Sequence, residues 1–311
     1  MNNKIMIAII AVICSVLIFG IAIYVTLRFQ DTSPQLKSTI VVPDDFPTIS
    51  DAIDNANEGD TVFVKKGTYE ISEYSVVINK TISIIGEDQA NTILVFPPDT
   101  RTGYEFLISK VGFRVYADNF KISSLTIMNC DFGVSVSGNV TEVSNTIMDG
   151  VSLIGSYSKI FDINITDALS ESNSFTNFFT ITGSYNNISR NSIDNLVDGE
   201  CQGSFNKITE NTIKGGINLK GSSNIITNNS FRSMTLTSSD SNIIKNNTFN
   251  HISVYTAHHT TLFLGIPHKV QVIIMGFCYL LVQVTCFMAI TLQITTVPPH
   301  LLAVNKVTPW T

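Results

Sequence analysis

The side chains that could do chemistry are acidic, and they lie closest together at Asp194, Asp198 and Glu200. Most glycoside hydrolases place two carboxyl groups on either side of the bond that they break. Carboxylate oxygens are also the ligands that Ca²⁺ prefers. Turns rich in solvated acidic residues give the same pattern, and we favour that interpretation. The three residues are therefore weak candidates for catalysis or for a calcium site.

No residue set for nucleophilic catalysis accompanies these acids. A serine or cysteine nucleophile needs a neighbouring base such as histidine, and all five histidines follow Asn250. The two cysteines of the central region, Cys130 and Cys201, lack the close spacing of a redox or metal motif. One interpretation is a disulfide between them, which an oxidising compartment would allow. The interpretation that we favour is two unrelated buried thiols.

A sequence repeat must position all of these candidates. In each unit an aliphatic residue is followed three positions later by Asn, and two positions after that by Ile or Phe. The aliphatic residues are 20, 18 and 18 positions apart. Such a period, with Asn-, Ser- and Gly-rich turns, is typical of a solenoid in which each coil packs on its neighbours. The four units are Ile188/Asn191/Ile193, Ile208/Asn211/Ile213, Ile226/Asn229/Phe231 and Ile244/Asn247/Phe249.

The asparagine of each unit has a structural interpretation. Asn tolerates a left-handed backbone and bonds to nearby backbone groups, and stacked coils would align the four amides at one bend. We expect a structural ladder, with no ligand role, at Asn191, Asn211, Asn229 and Asn247.

The start of the repeat region carries more specific motifs. Thr48–Ala56 has a helical pattern of apolar residues on one face, and short apolar strands and turns surround it. The motifs are Val42–Ile49, Gly59–Val64, Gly67–Tyr69 and Ile82–Glu87.

With these motifs, residues 39–250 resemble the pectin-lyase-like right-handed parallel β-helices, and most closely their carbohydrate-binding/sugar-hydrolysis and NosD-like groups. The resemblance implies an all-β, right-handed parallel β-helix whose Thr48–Ala56 helix covers the open edge of the first coil. It also implies polysaccharide cleavage by carboxylates, often with Ca²⁺ or a catalytic Arg. The paired-Asp and Gly-His-Gly motifs of polygalacturonases are absent.

The NosD-like resemblance implies copper handling. Copper favours His, Cys or Met ligands, and in the coil region only Met128 and Cys130 lie close together in sequence. We therefore expect no resident cofactor, with Ca²⁺ at the acidic residues as the one alternative.

The N-terminal region predicts a membrane anchor. Ile5–Leu27 has no charged residue and meets the roughly 20 residues that a helix needs to cross a bilayer. We predict a transmembrane signal anchor at residues 1–28 and a linker at 29–38, with the β-helix outside the cytoplasm. Candidate glycosylation sites, which are modified only outside the cytoplasm, are Asn79, Asn139, Asn164, Asn187, Asn228 and Asn246.

The composition changes after residue 255. Asn nearly disappears, and the only Trp and four of the nine Pro lie beyond this point. We predict that the β-helix spans residues 39–255 and that residues 256–311 form an atypical apolar tail. One interpretation is a second membrane helix at Val270–Ile294. The other, which we favour, is a shifted reading frame, because back-translation of the tail allows coil-like sequence.

Composition and charge narrow the function. The net charge is −6 and no stripe of Lys or Arg is present, so the electrostatic footprint of a nucleic-acid-binding protein is missing. We predict a single-pass cell-membrane protein whose β-helix binds or presents carbohydrate or envelope partners without turnover. The alternatives are a polysaccharide lyase or hydrolase, and a NosD-like copper-handling or purely structural surface protein. Tyrosines that could stack on sugar rings are Tyr74, Tyr104, Tyr116, Tyr157 and Tyr185.

Overall fold

The structure, a computed structural model, describes residues 13–21, 23, 37–98, 109–166, 179–194 and 199–255, and the backbone of four further strands between residues 260 and 295. The chain divides into two compact units, Met1–Lys37 and Ser38–Thr311. In the first unit, residues 13–21 and 23 are helical and exposed. No helix among the described residues is both long enough and apolar enough to cross a bilayer. The predicted anchor at residues 5–27 falls largely outside the described residues.

The second unit is a right-handed parallel β-solenoid of about nine turns, which confirms the predicted fold class. Its strands are β1 (Thr39–Val42), β2 (Thr61–Val64), β3 (Gly67–Glu70), β4 (Val76–Ile78), β5 (Ser83–Gly86), β6 (Thr92–Val95), β7 (Val111–Val115), β8 (Lys121–Met128), β9 (Phe132–Ser137), β10 (Glu142–Met148), β11 (Val151–Ile154), β12 (Lys159–Phe161), β13 (Asn164–Thr166), β14 (Phe179–Thr182), β15 (Asn187–Ser189), β16 (Ser192–Asp194), β17 (Gly199–Gln202), β18 (Lys207–Thr209), β19 (Thr212–Lys220), β20 (Ile225–Thr227), β21 (Ser230–Thr237), β22 (Ile243–Lys245), β23 (His251–Tyr255), β24 (Thr260–Leu264), β25 (Gln271–Met275), β26 (Tyr279–Gln283) and β27 (Thr291–Thr295).

Strands of successive coils pair in parallel and build three faces. The first face contains β12, β15, β18, β20 and β22 in sequence. The second face contains β13 and β16 followed by the first part of β19. The third contains β11, β14 and β17 followed by the second part of β19. The turn that leads from the third face to the first face is called the first corner. The turn from the first face to the second face is the second corner, and the turn from the second face to the third face is the third corner.

The core is a stack of aliphatic side chains in the solenoid interior. The register pairs Ile160 with Ile188, Ile188 with Ile208, and so on to Ile226 and Ile244, all of them buried. Each strand alternates inward and outward side chains, so the middle Ile of each of these three-residue strands points inward. Burial of each contributes roughly 1.5–3 kcal/mol relative to exposure. The stacking follows from the period of the sequence.

One helix, α1 (Ile49–Asn55), packs on the same core through Ile49, Ala52 and Ile53. It is shorter than predicted because Thr48 is the N-cap, where its hydroxyl accepts a hydrogen bond from the Asp51 N–H, and Ala56 is the C-cap.

The backbone of the tail contains strands in register with the coils before it. β24 pairs in parallel with β22, and β25 with β23. A repeat in the coding sequence would keep its period in every reading frame, so this register is compatible with a frame shift. The frame-shift interpretation remains a prediction, and the nucleotide sequence decides it.

Candidate functional site

The four asparagines of the repeat lie above one another inside the second corner, and all four are buried. The Asn211 Oδ1 accepts hydrogen bonds from the N–H and from the Nδ2 of Asn191, at 3.0 and 2.9 Å. The Asn211 Nδ2 donates to the Ile188 carbonyl at 3.0 Å and to the Asn229 Oδ1 at 2.9 Å. The same bonds continue from Asn229 to Asn247. These amides are therefore engaged by the scaffold itself.

A second ladder, which the sequence analysis missed, lies inside the first corner. The N–H of Asn186 donates to the Oδ1 of Asn206 at 2.9 Å, and the N–H of Asn206 donates to the Oδ1 of Asn224 at 2.8 Å. Asn242 continues the ladder at 2.8 Å, and Ser158 begins it. The signal was present in the sequence, because each of the four asparagines of this ladder precedes a second-corner asparagine by five positions.

The predicted acidic site is divided among ion pairs. Asp194, at the end of β16, is bonded to Lys214 on the next coil. Glu200, on β17, accepts a hydrogen bond from the Lys220 Nζ at 2.7 Å and another from the Gln202 Nε2 at 2.8 Å. The Lys220 hydrogen bond holds the pKa of Glu200 below its ordinary value. Asp198 lies outside the described residues.

A general acid needs the opposite shift, a pKa raised toward neutrality. Asp162 is likewise neutralised, since its two carboxylate oxygens accept hydrogen bonds from Arg190 at 2.8 Å each. Asp167 lies outside the described residues. The described acids of the sequence-based site therefore serve as partners for cations on the next coil.

A different group of titratable residues is buried at the third corner. Asp131 and Asp149 are 2% and 5% exposed. The Lys110 N–H donates to the Asp131 Oδ2 at 2.7 Å, while the Lys110 Nζ donates to the Pro97 carbonyl and lies 4.9 Å from the centre of the Tyr74 ring. Sequence reasoning missed this group, because an acid next to a turn is normally solvated.

The two thiols of the coil region, Cys130 and Cys201, are free and buried. Burial raises the pKa of each thiol to about 12. Among the described residues, no three His, Cys, Asp or Glu side chains converge on a point that could hold a metal ion.

Exposed aromatic rings form a column on the outside of the first corner. The rings of Tyr157 and Tyr185 stack with centroids 5.0 Å apart and planes within 1°, and Tyr185 and Phe205 stack at 4.9 Å and 6°. The three residues are 61%, 49% and 52% exposed. We call Tyr157, Tyr185 and Phe205 the aromatic column.

Only part of the aromatic column was predicted. Tyr157 and Tyr185 were among the candidate tyrosines, whereas Phe205 was missed. All three have left-handed backbones, with φ near +60°, which is uncommon for bulky residues, so turn propensities do not find them. The signal that finds them is their position directly before a first-corner ladder residue.

The other three candidate tyrosines lie elsewhere. Tyr116 is exposed on the third face, Tyr74 lies under Lys110, and Tyr104 falls outside the described residues.

The candidate glycosylation sites divide by accessibility. Asn79, Asn139, Asn228 and Asn246 are exposed, whereas Asn164 and Asn187 are half-buried. The Asn187 Oδ1 is buried and has no hydrogen-bond partner among the described residues. Modification at the exposed four remains a prediction.

No protein-family model matches this sequence, and no curated protein matches it. Among solved structures, the chain is similar to an alginate lyase from Paenibacillus sp. str. FPU-7, at 15% identity and a TM-score of 0.47 over 77% of this chain and 94% of that one. It is similar to the Azotobacter vinelandii mannuronan C-5 epimerase AlgE6 A-module, at 11% identity and a TM-score of 0.40 over 80% and 93%. With the PL6 family alginate lyase AlyGC the identity is 14% and the TM-score 0.39, and this chain covers 40% of that one.

Proposed function

We propose that this protein is a β-helical binding protein of the cell surface, and that it binds carbohydrate through the aromatic column without turning it over. The observation that carries the proposal is the column itself, three rings about half exposed on consecutive coils of one corner. Aromatic side chains combine a large apolar surface with a specific geometry, and they are enriched where proteins bind partners.

The scaffold holds these rings in place before any ligand arrives. The Tyr185 N–H donates to the Ser204 carbonyl and the Phe205 N–H to the Ser222 carbonyl, both at 3.1 Å. The residue after each ring, Asn186 or Asn206, donates its own N–H to the next member of the first-corner ladder. A surface that is already ordered loses less conformational entropy on binding. This favours a binding role even for a weakly interacting ligand such as a sugar.

The charged groups favour binding over hydrolysis. Glu200 is held ionised by Lys220, and Asp194 is paired with Lys214. If either carboxyl group were the general acid of a glycosidase, it would have to stay protonated near neutral pH. In our proposal these carboxylates stabilise neighbouring coils, and the protein binds neither Ca²⁺ nor copper.

The cell-surface part of the proposal is supported by the sequence. Ile5–Leu27 is long and uncharged, and we propose that it anchors the chain in the membrane with the solenoid outside the cytoplasm. Four exposed sequons agree with a solenoid outside the cytoplasm, namely those at Asn79, Asn139, Asn228 and Asn246. Protease treatment of intact cells tests it, since a solenoid outside the cytoplasm would be cleaved without lysis.

A glycan array tests the binding activity. The full chain in detergent should bind a subset of glycans, and Tyr185→Ala should abolish that signal. Tyr116→Ala is the matched control, because it removes an equally exposed tyrosine from a different face. A blank array, or equal binding by both variants and the parent chain, would contradict the proposal.

One observation favours a second candidate, a polysaccharide lyase or hydrolase. Asp131 and Asp149 are both buried at the third corner, where Lys110, which is also buried, donates its backbone N–H to Asp131. Asp and Lys are seldom fully buried, so their presence together at one corner marks a candidate catalytic site. Cleavage of pectin or alginate that is lost in Asp131→Asn and kept in Asp162→Asn would favour this candidate over simple binding.

A further inference from the structure

The aromatic column ends abruptly at Phe205, although the corner that carries it continues. In the next two coils, Ser223 and Ser241 occupy the position that Phe205 has in its own coil. The register shows this two residues further along, where Lys207 pairs with Ile225 and Ile225 pairs with Ile243. Ser223 and Ser241 have the left-handed backbone of the ring-bearing residues, with φ of 57° and 51°. Their Cβ atoms therefore leave the corner in the same direction, but no ring follows. One face of Phe205 is covered by Tyr185, and the other is directed toward these serines.

The wall beside the two serines is apolar. Ile225 and Ile243 are 42% and 39% exposed, on the strand that follows the corner. In the preceding coils, the polar residues Asn187 and Lys207 occupy the position of these two isoleucines. The recess is thus bounded by the Phe205 ring at one end, by Ile225 and Ile243 along one side, and by Ser223 and Ser241 at its floor.

The rim of the recess is polar. The Ser241 hydroxyl donates to the Asp240 carboxylate at 2.8 Å; Ser241 is exposed and Asp240 is half-buried. Hydroxyl groups both donate and accept hydrogen bonds, whereas a carboxylate only accepts. The recess therefore combines an open aromatic face and an aliphatic side with hydroxyl and carboxylate partners at the edge.

We propose that this recess binds one pyranose ring of a glycan, stacked on the open face of Phe205 in the place of a fourth aromatic ring. A pyranose has the matching chemistry, with C–H groups on its face and hydroxyls around its edge. Successive coils are about 4.7–4.9 Å apart, close to the ring spacing in the column. A sugar stacked on Phe205 therefore lies level with Ser223.

This inference rests on the proposed carbohydrate-binding function and adds to it the site and the ring orientation. Saturation-transfer NMR of the full chain tests it with four probes: the methyl pyranosides of glucose, galactose, mannose and N-acetylglucosamine. At least one should receive saturation mainly on the C–H protons of one ring face. Those protons should also shift upfield because they lie over the Phe205 ring.

A variant that fills the recess without harming the fold is Ser223→Tyr, which extends the aromatic column by one ring. It should weaken binding of the responding sugar about tenfold or more, equivalent to about 1.4 kcal/mol, without lowering the melting temperature. Val140→Tyr is the matched control, because it adds the same ring at the other end of the column, beyond Tyr157. It should leave the affinity unchanged.

The outcomes separate the recess from the wider function. If the glycan array is positive but Ser223→Tyr binds as well as the parent chain, the recess is wrong and carbohydrate binding stands. If neither the array nor the four probes give a signal, both proposals fail. If the parent chain forms a dimer by light scattering that Ser223→Tyr dissociates, and no sugar binds, the recess holds a second copy of the chain and the sugar proposal is overturned.

Discussion

The buried asparagine ladder at the second corner makes a quantitative prediction about Asn211→Ala. The substitution removes four hydrogen bonds, two accepted by the Oδ1 and two donated by the Nδ2. The buried N–H of Asn191 loses its acceptor, which costs about 1–3 kcal/mol, and each other bond contributes about 0.5–1.5 kcal/mol net. The sum of these ranges predicts that the free energy of unfolding falls by about 2.5–7.5 kcal/mol.

The matched control is Asn187→Ala in the neighbouring coil. The side chain of Asn187 has a buried Oδ1 with no hydrogen-bond partner in the part of the chain that the structure describes, so its removal relieves a desolvated group and should be neutral or slightly stabilising. Both variants are compared with the parent chain by urea unfolding, followed by circular dichroism, after production in a host that does not glycosylate.

Because solenoid coils interact mainly with their neighbours, the loss in Asn211→Ala should be local. Hydrogen exchange should speed up first in β15, β18 and β20 and least near α1. If Asn211→Ala and Asn187→Ala unfold within about 0.5 kcal/mol of each other, the ladder does not stabilise the solenoid as reasoned here.

Three further predictions concern the ion pair, the aromatic column and the thiols. Lys220→Met should return the pKa of Glu200 toward its ordinary value in an NMR titration, and an unchanged titration would contradict the pairing. In the parent chain, the stabilisation from this pair is present above the pKa that Glu200 has in the unfolded chain. It is lost as the pH falls through the lowered pKa of Glu200 in the folded chain. Tyr185→Ala should lower the free energy of unfolding by about 1–3 kcal/mol, because two stacked pairs at about 0.5–1.5 kcal/mol each are lost, and a change no larger than that of Tyr116→Ala would argue against stacking. The buried thiols at 130 and 201 should react with a disulfide reagent only after unfolding in denaturant, so rapid reaction in the native protein would show that they are accessible.

The contacts that sequence could predict are those between coils of constant length. Asn191 meets Asn211 twenty positions on, and Asn211 meets Asn229 after eighteen, so the repeat period translates directly into spatial neighbours. The pairing of Glu200 with Lys220, also twenty apart, was open to the same reasoning.

The contacts that sequence could not predict cross an insertion or depend on burial at a corner. Asp162 and Arg190 are twenty-eight positions apart, because the coil that separates them is longer than the period of eighteen to twenty residues. The burial of Asp131 and Asp149 is a second example, since neither residue type nor spacing distinguishes them from solvated turn residues.

Residue identity and period alone determined that this chain winds into stacked coils with isoleucines inside, because a side chain every eighteen to twenty positions can be buried only against its own repeat. Tertiary structure decided which contacts cross the longer coil and which rings meet at a corner: Arg190 neutralises Asp162, three rings stack at the first corner, and two serines interrupt that stack. Those outcomes depend on the length of each coil and on the path of the backbone at the corner, where a left-handed residue sets the direction of its side chain.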